Sequence, residues 1–515
     1  MFVLAALTGP LPKLGVVAVA GLAAAALLLA DARRRALAML GALVLAPVLL
    51  LADIWHSPQL SIVHRHPLAA AGLAAAGLVL VCALAILVDR RPPMLGVLAV
   101  LALPFRVPIA AGGTTSNLLV PLYLVVAAGS VAFVVRGLRG SAEQDSRTVA
   151  PGWIERLLAL YIVLYALQAV YSPDFEKALQ QVVFFYVPFA LLFCLLRRLD
   201  WTPQLLRRAL EVAVGLAIVF AVVGFAEYAT KTLLLNPKLI AANDVHAYFT
   251  VNSVFFDPDI FGRFLALVMI ALAVALLYER PLREQVGAAL VLAILWGGMV
   301  LTLSRSSMGA LLVGLGTLAA VRFSARRTLL AGAAVVLIGG IAIAAQPKTF
   351  GLNQGLNGAS SGRADLVTGG ISMFGERPVW GYGSGSFVYE YRAHHPNADT
   401  TLAASHTIPV TVGAEQGLIG ELVYLALVIV AVQRLVAGAR ADPARTVVAA
   451  AFLALVFHTM LYADFLEDPV TWTLLGIGTA LAADPKMVTG GAHARPRGRA
   501  HAPARAGPHA ARLPG

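Results

Sequence analysis

The chain is a succession of long apolar runs, many of 17 to 22 residues, broken mostly by short polar turns. A bilayer core needs about 20 residues of helix, and backbone groups in lipid must find partners within their own segment. The pattern therefore predicts helical spans at about 14–30, 36–52, 68–88, 94–108, 118–135, 154–170, 180–196, 209–226, 260–278, 286–303, 308–321, 328–345, 414–432, 447–463 and 470–483. A transmembrane barrel would show short alternating segments instead. Two polar interruptions are long, 227–259 and 346–413, and the second is where polar chemistry is expected. The first apolar run follows Met1-Phe2-Val3, without a basic leader, and precedes Arg33-Arg34-Arg35. That arrangement predicts an uncleaved span rather than a signal peptide.

Charge orients the spans. Only 13% of residues are charged and 59% are hydrophobic, whereas soluble domains carry roughly 25% charged residues. Alternate loops hold 27 of the 39 lysines and arginines, so the positive-inside rule assigns them to the cytoplasm. Loops 53–67, 109–117, 171–179, 227–259 and 346–413 then face outward. The net charge of +12 is a topology signal, and no nucleic-acid partner is expected. Cys82 and Cys194 both sit in apolar runs, which gives neither a disulfide framework nor a thiolate metal site. The expected fold is an all-α polytopic membrane protein with about 13–15 transmembrane helices and one long extracytoplasmic loop. Residues 1–250 form the N-terminal helices, 251–484 hold the polar loop, and 485–515 read as a disordered basic cytoplasmic tail touching anionic lipid.

Several polar residues need an explanation. Arg305, in Leu303-Ser304-Arg305, has barely any loop around it; it either snorkels to headgroups or faces a cavity and an anionic ligand. Arg363 precedes a stretch in which Leu366, Val367, Gly370, Ile371, Met373 and Phe374 share a face, the mark of an interfacial helix. Its position near that helix N-terminus favours an anion. Gly381-Tyr382-Gly383-Ser384-Gly385 lacks the spacing and β-α-β context of a dinucleotide loop, and reads as flexible backbone packed beside a site. His406 stands just before a span, in the same outward region as the two arginines, where a neutral imidazole can take a proton from a hydroxyl; a hydrogen-bonded structural role is the alternative. His394 and His395 compete from mid-loop. Asp257-Pro258-Asp259 reads first as a helix start, with Asp257 as N-cap, and second as a pair of carboxylates for a divalent metal. Arg263, one turn on, is expected at the outer mouth. Glu415 reads as an acid opening its helix, and the cluster Asp464, Glu467 and Asp468 has no assigned role.

In this order, Phe256-Asp257-Pro258-Asp259, Leu303-Ser304-Arg305, Gly362-Arg363, Pro378-Val379-Trp380-Gly381-Tyr382-Gly383-Ser384-Gly385-Ser386-Phe387, Ser405-His406 and Glu415-Gln416-Gly417 resemble the O-antigen ligase and polymerase superfamily of bacterial envelope membrane proteins. The resemblance covers roughly residues 250 to 480. The sequence has Asp259 and Thr407 where the family commonly carries Asn. The resemblance implies a GT-C-like glycosyltransferase of the bacterial plasma (inner) membrane, free of metal and cofactor and working on the extracytoplasmic face. It would move a glycan from a polyprenyl-diphosphate carrier to a hydroxyl of a glycan, lipid or protein acceptor, with inversion. By the same resemblance His406 is the general base, Arg305 and Arg363 hold the diphosphate, and Arg263 is a secondary contact to diphosphate or headgroup. Repeat-unit polymerase is the neighbouring reading. A transporter related to inorganic-carbon carriers and a non-catalytic assembly partner are the others.

Overall fold

The computed structural model describes residues 9–55, 64–111, 114–140, 150–234, 240, 243, 248–278, 281–345, 363–396 and 405–483. The expected basic tail lies outside these residues, as does all of 346–362, Gly362 included. In chain order the helices are α1 Pro10–Leu28, α2 Ala32–Ile54, α3 Pro67–Arg90, α4 Pro93–Ala102, α5 Val120–Leu138, α6 Trp153–Ala169, α7 Phe175–Leu196, α8 Pro203–Thr230, α9 Pro258–Leu277, α10 Leu282–Leu301, α11 Arg305–Ala319, α12 Ala325–Ala345, α13 Arg363–Glu376, α14 Phe387–His394, α15 Ile408–Val436, α16 Pro443–Thr459 and α17 Pro469–Ala483. Among the described residues ten helical stretches are long and apolar enough to cross a membrane, and α4, α16 and α17 are shorter apolar helices. The chain is thus an all-α polytopic membrane protein, as its hydrophobic pattern predicts.

Local chemistry sets the helix ends. Proline occupies the first position of α3, α8, α9, α16 and α17, where its missing N–H costs nothing. Asp31, Thr202, Asp257, Ser304 and Asp442 each cap the following helix with a side-chain oxygen. Within α7, Pro188 cannot donate to the Phe184 carbonyl four residues back. The turn Val182–Tyr186 widens there, and the Tyr123 hydroxyl donates to the freed Phe184 carbonyl at 2.9 Å.

Three features depart from expectation. The span forecast at 94–108 ends as α4 at Ala102, because Pro104 and Pro108 forbid its continuation. A hairpin follows instead, β1 Val107–Ala111 antiparallel to β2 Thr114–Leu118 with Val107 opposite Leu118; two glycines separate the strands in the sequence, a hairpin signal. Second, α11 runs into α12 through a wide turn, Ala320–Ser324, without an intervening loop. A Cβ on Gly316 would lie 3.8 Å from Thr328 Cγ2, although twelve residues of straight helix span about 18 Å. The chain therefore folds back at this turn, and the two forecast spans remain distinct. Third, charged residues expected at span ends lie within the spans. Arg263 and Glu415 lie inside them, as does Glu421.

Side chains of α1, α2, α5–α7 and α15–α17 form the larger core. A second core joins α8–α11, and α16 contributes to both. A third, small cluster of Leu366, Met373, Tyr382, Phe387, Tyr391 and Ala414 holds α13 and α14 against α15. On α13 the buried face is Leu366, Gly369, Gly370 and Met373, while Ile371 is exposed. The predicted apolar face is thus rotated toward the two glycines, which let α13 approach its neighbours closely.

Candidate active site

The end of α16 and the starts of α9, α11, α13 and α15 meet at one place, where Asp257, Asp259, Arg363 and His406 gather. Asp257 caps α9 by accepting from the Asp259 N–H at 2.7 Å, as its position predicts. It also hydrogen-bonds Tyr462, and burial with the neighbouring Asp259 pushes its carboxyl up to about 6. Asp259 does something else. Its Oδ1 accepts the hydroxyls of Ser304 at 2.5 Å and Ser306 at 2.8 Å, and its Oδ2 faces Arg363 Nη2 at 3.8 Å. Gly262, one turn along α9, permits this approach, since a Cβ there would fall 2.7 Å from Ser307 Oγ. The serines in turn meet His458, fully buried at the end of α16, whose Nε2 lies 3.3 Å from both Ser306 and Ser307 Oγ.

His406 is held in the left-handed backbone region, φ 59°, which costs a non-glycine residue of order 1–3 kcal/mol. Its neighbours impose that turn. The Ser405 hydroxyl accepts the Thr407 N–H at 3.1 Å and donates to the Thr407 carbonyl at 2.8 Å. Thr407 itself donates to the Met460 carbonyl at 3.2 Å, tying the His406 turn to the end of α16. Leu303 and Asp464 are also left-handed, at φ 53° and 73°, so strained backbone gathers around this point. The half-buried His406 ring lies 6.0 Å from the Tyr462 ring, which lies 5.6 Å from His458. Burial and the Arg363 guanidinium hold the His406 imidazole below its usual range, against Asp259 and Asp464 pulling the other way. At neutral pH the ring is therefore an unprotonated base.

Arg363 opens α13 as expected and donates to the Leu461 carbonyl at 3.1 Å. Arg305 lies between the two serines that hold Asp259, is exposed, and has no hydrogen bond or ion pair among the described residues. Arg263 differs from its expected place at an outer mouth. It is buried on α9 and paired with Asp468 at 2.5 Å, each 3% exposed, because its α9 position points inward against the start of α17. Its Nη1 is buried without a partner among the described residues. Both residues line an apolar cleft of about 210 Å³, together with Leu103, Phe264, Leu267, Val470 and Leu474 among others.

The glycine-rich stretch is a packed structure rather than a flexible one. Gly417 breaks α15 at φ 64°, ψ −165°, and the loop supplies partners for the freed backbone. Tyr382 and Gly383 donate to the carbonyls of Ala414 and Glu415 at 3.1 and 2.8 Å, and Leu418 donates to Pro378 at 2.7 Å. Glu415, expected as an opening acid, sits two turns into the helix and is buried, accepting from Gly385 and Phe387 N–H at 2.8 and 3.0 Å. Glu467 accepts the Tyr186 hydroxyl at 3.0 Å. His394 bonds Glu390 and Glu376, and His395 stacks on Tyr391, which places both in the scaffold of α14. Asp257 and Asp259 are each engaged by side chains rather than paired toward an ion, and among the described residues no group of three His, Cys, Asp or Glu could hold a metal.

Sequence reading missed His458, Tyr462 and the three serines as members of this cluster. Ser304 lay inside the Leu303-Ser304-Arg305 motif, but His458 sat in an apolar run with no local signal. Residues 288–425 match the family described as O-Antigen ligase, and this match supports the O-antigen ligase and polymerase superfamily for the chain. It covers α10 to the middle of α15 and includes Arg305, Arg363 and His406. No curated protein matches the chain.

Proposed function

We propose that this chain belongs to the O-antigen ligase and polymerase superfamily and transfers a glycan from a polyprenyl-diphosphate carrier to an acceptor hydroxyl, on the extracytoplasmic face of a bacterial plasma membrane. The observation that carries the reading is His406, fixed in a strained turn and kept unprotonated beside Arg363. In this reading the His406 imidazole accepts the proton of the acceptor hydroxyl as its oxygen attacks the anomeric carbon. The bond from that carbon to the diphosphate oxygen breaks on the opposite face, inverting the centre. Arg305 and Arg363 receive the charge that develops on the departing diphosphate, since preorganised cations at such a place are usually the largest catalytic contribution. Guanidinium suits this task because its fork of donors matches phosphate oxygens and stays charged at any working pH. The apolar cleft that Arg263 and Asp468 help to line suits the carrier's hydrocarbon chain. Arg263, already paired with Asp468, lines that cleft rather than meeting the leaving group directly. No metal enters this mechanism.

The test is glycan analysis of a deletion strain complemented with wild type or His406→Ala. Accumulated lipid-linked glycan in both the deletion and the His406→Ala strain is the expected result. Accumulated full-length chains fit a ligase and single repeats a polymerase, and we favour ligase. Full complementation by His406→Ala would overturn the catalytic reading.

A further inference from the structure

We propose that Asp259 is a positioning residue of this site: its carboxylate, anchored by the Ser304 and Ser306 hydroxyls, sets the direction of the Arg363 guanidinium beside His406. The inference rests on the reading of His406 and Arg363 given above. An acid in a first helical turn is ordinarily explained by the dipole alone, but here the capping is done by Asp257. The Asp259 carboxylate is spent instead on tertiary contacts. An ionised carboxylate accepts on both oxygens, and the two here have separate tasks, Oδ1 taking two serine hydroxyls and Oδ2 facing Arg363.

The anchor is itself fixed. Ser304 Oγ accepts the Ser307 N–H at 3.1 Å, Ser307 Oγ donates to the Asp259 carbonyl at 3.1 Å, and His458 Nε2 lies 3.3 Å from the Ser306 and Ser307 hydroxyls. All three serines and His458 are buried. A carboxylate held this way cannot follow a mobile arginine, so the arginine conforms to it.

Two ion pairs of the same cluster show the difference between a cation that is consumed and one that is aimed. Arg263 and Asp468 touch at 2.5 Å and are each 3% exposed. Arg363 and Asp259 stand at 3.8 Å with 38% and 19% of the side chains exposed. Charge-assisted bonds close to about 2.7–2.9 Å when fully made. With Nη1 on the Leu461 carbonyl at 3.1 Å and Nη2 drawn toward Asp259, Arg363 is restrained in direction while its remaining donors stay available to an incoming anion.

The experiment uses membranes containing the full chain, titrated with lipid-linked glycan extracted from a strain lacking the gene. Asp259→Asn keeps an acceptor for the serines but loses the charge that attracts Arg363. The expected result is a rise in KM for the lipid-linked donor of about tenfold. In an Arg363→Lys background the same change should add little, because residues acting through one another are not additive. The acid limb of the pH profile should also move to lower pH. The charged groups facing His406 are Arg363 on α13, Asp259 on α9 and Asp464 before α17, with the Tyr462 phenol beside them, and removing one carboxylate leaves the imidazolium less favoured. A merely structural Asp259 would lower thermal stability and leave the KM and the acid limb where they are, and that result overturns the inference. If Asp259→Asn fails to accumulate, Ser306→Ala removes one anchor and should raise the donor KM a few-fold; an unchanged KM there also overturns it. His406→Ala, run alongside, separates the two readings. Wild-type transfer by that variant defeats the proposed function, whereas an inactive His406→Ala with an unaltered Asp259→Asn defeats only the role of Asp259.

Discussion

Gly417→Ala should unfold the interface between α15 and the glycine-rich loop. The residue sits at φ 64°, ψ −165°, a region only glycine visits freely, and a side chain there costs about 1–3 kcal/mol of backbone strain. The added Cβ would also fall 2.4 Å from the Val379 carbonyl oxygen and 2.5 Å from its carbon. These are backbone atoms and cannot step aside without opening the neighbouring Leu418 N–H to Pro378 carbonyl bond of 2.7 Å. Losing one or two such hydrogen bonds costs about 0.5–1.5 kcal/mol each, so with the strain the total is about 2–6 kcal/mol. Gly375→Ala is the internal control: a Cβ there meets nothing within 4 Å, and in a helix the change is neutral or favourable by up to about 1 kcal/mol. Thermal unfolding of the two purified variants in the same detergent makes the comparison. A large fall in midpoint for Gly417→Ala, beside an unchanged or raised midpoint for Gly375→Ala, is expected. Equal midpoints would refute the argument that the broken helix and the loop are interlocked.

Four further outcomes follow from the same geometry. Arg305→Lys should lose nearly as much transfer activity as Arg305→Ala, on the order of 10²-fold, because an ammonium cannot supply forked contacts; wild-type rates for the lysine variant would remove Arg305 from the diphosphate site. The acid limb of kcat/KM should lie below the usual histidine range near pH 6.5, since His406 must be neutral to act as base and its pKa is lowered; a limb above that value would point to another group. Asp468→Ala should destabilise the protein by about 3–5 kcal/mol by stranding the buried Arg263 charge, while Arg263→Leu with Asp468→Leu should recover most of that loss; a double variant as unstable as the single one in thermal unfolding would mean the pair does more than neutralise itself. Transfer should survive a chelator, and an EDTA-sensitive activity restored by Mn²⁺ would return Asp257 and Asp259 to the role of metal ligands.

The helices were legible because lipid leaves the backbone one solution. A run of apolar residues long enough to cross, with arginines at alternate ends, can only be a span. Even the errors at α4 and at the Ala320–Ser324 turn were local, and Pro104 and the glycine pair before Thr114 had announced the first. The motif residues were legible as residue types too: Arg305, Arg363 and His406 are polar groups that a membrane protein does not carry idly at the ends of its spans.

What each of them touches was not legible. Asp257 and Asp259 look alike in sequence, yet one caps its helix and the other reaches across to Ser304, Ser306 and Arg363, a choice made by the packing of α9 against α11 through Gly262. Arg263 and Arg305 are both lone arginines at span ends, and only the arrival of Asp468 beside one of them separates a buried ion pair from a cation without a partner among the described residues. His458 carries no signal at all, because it is one polar letter in an apolar run until α16 packs between two cores and delivers it to the serines. Periodicity and charge act along the chain, so the sequence by itself determined the spans and their polar ends. Contacts between residues 45 to 205 positions apart depend on which helix faces which, and that was decided only when the whole bundle closed.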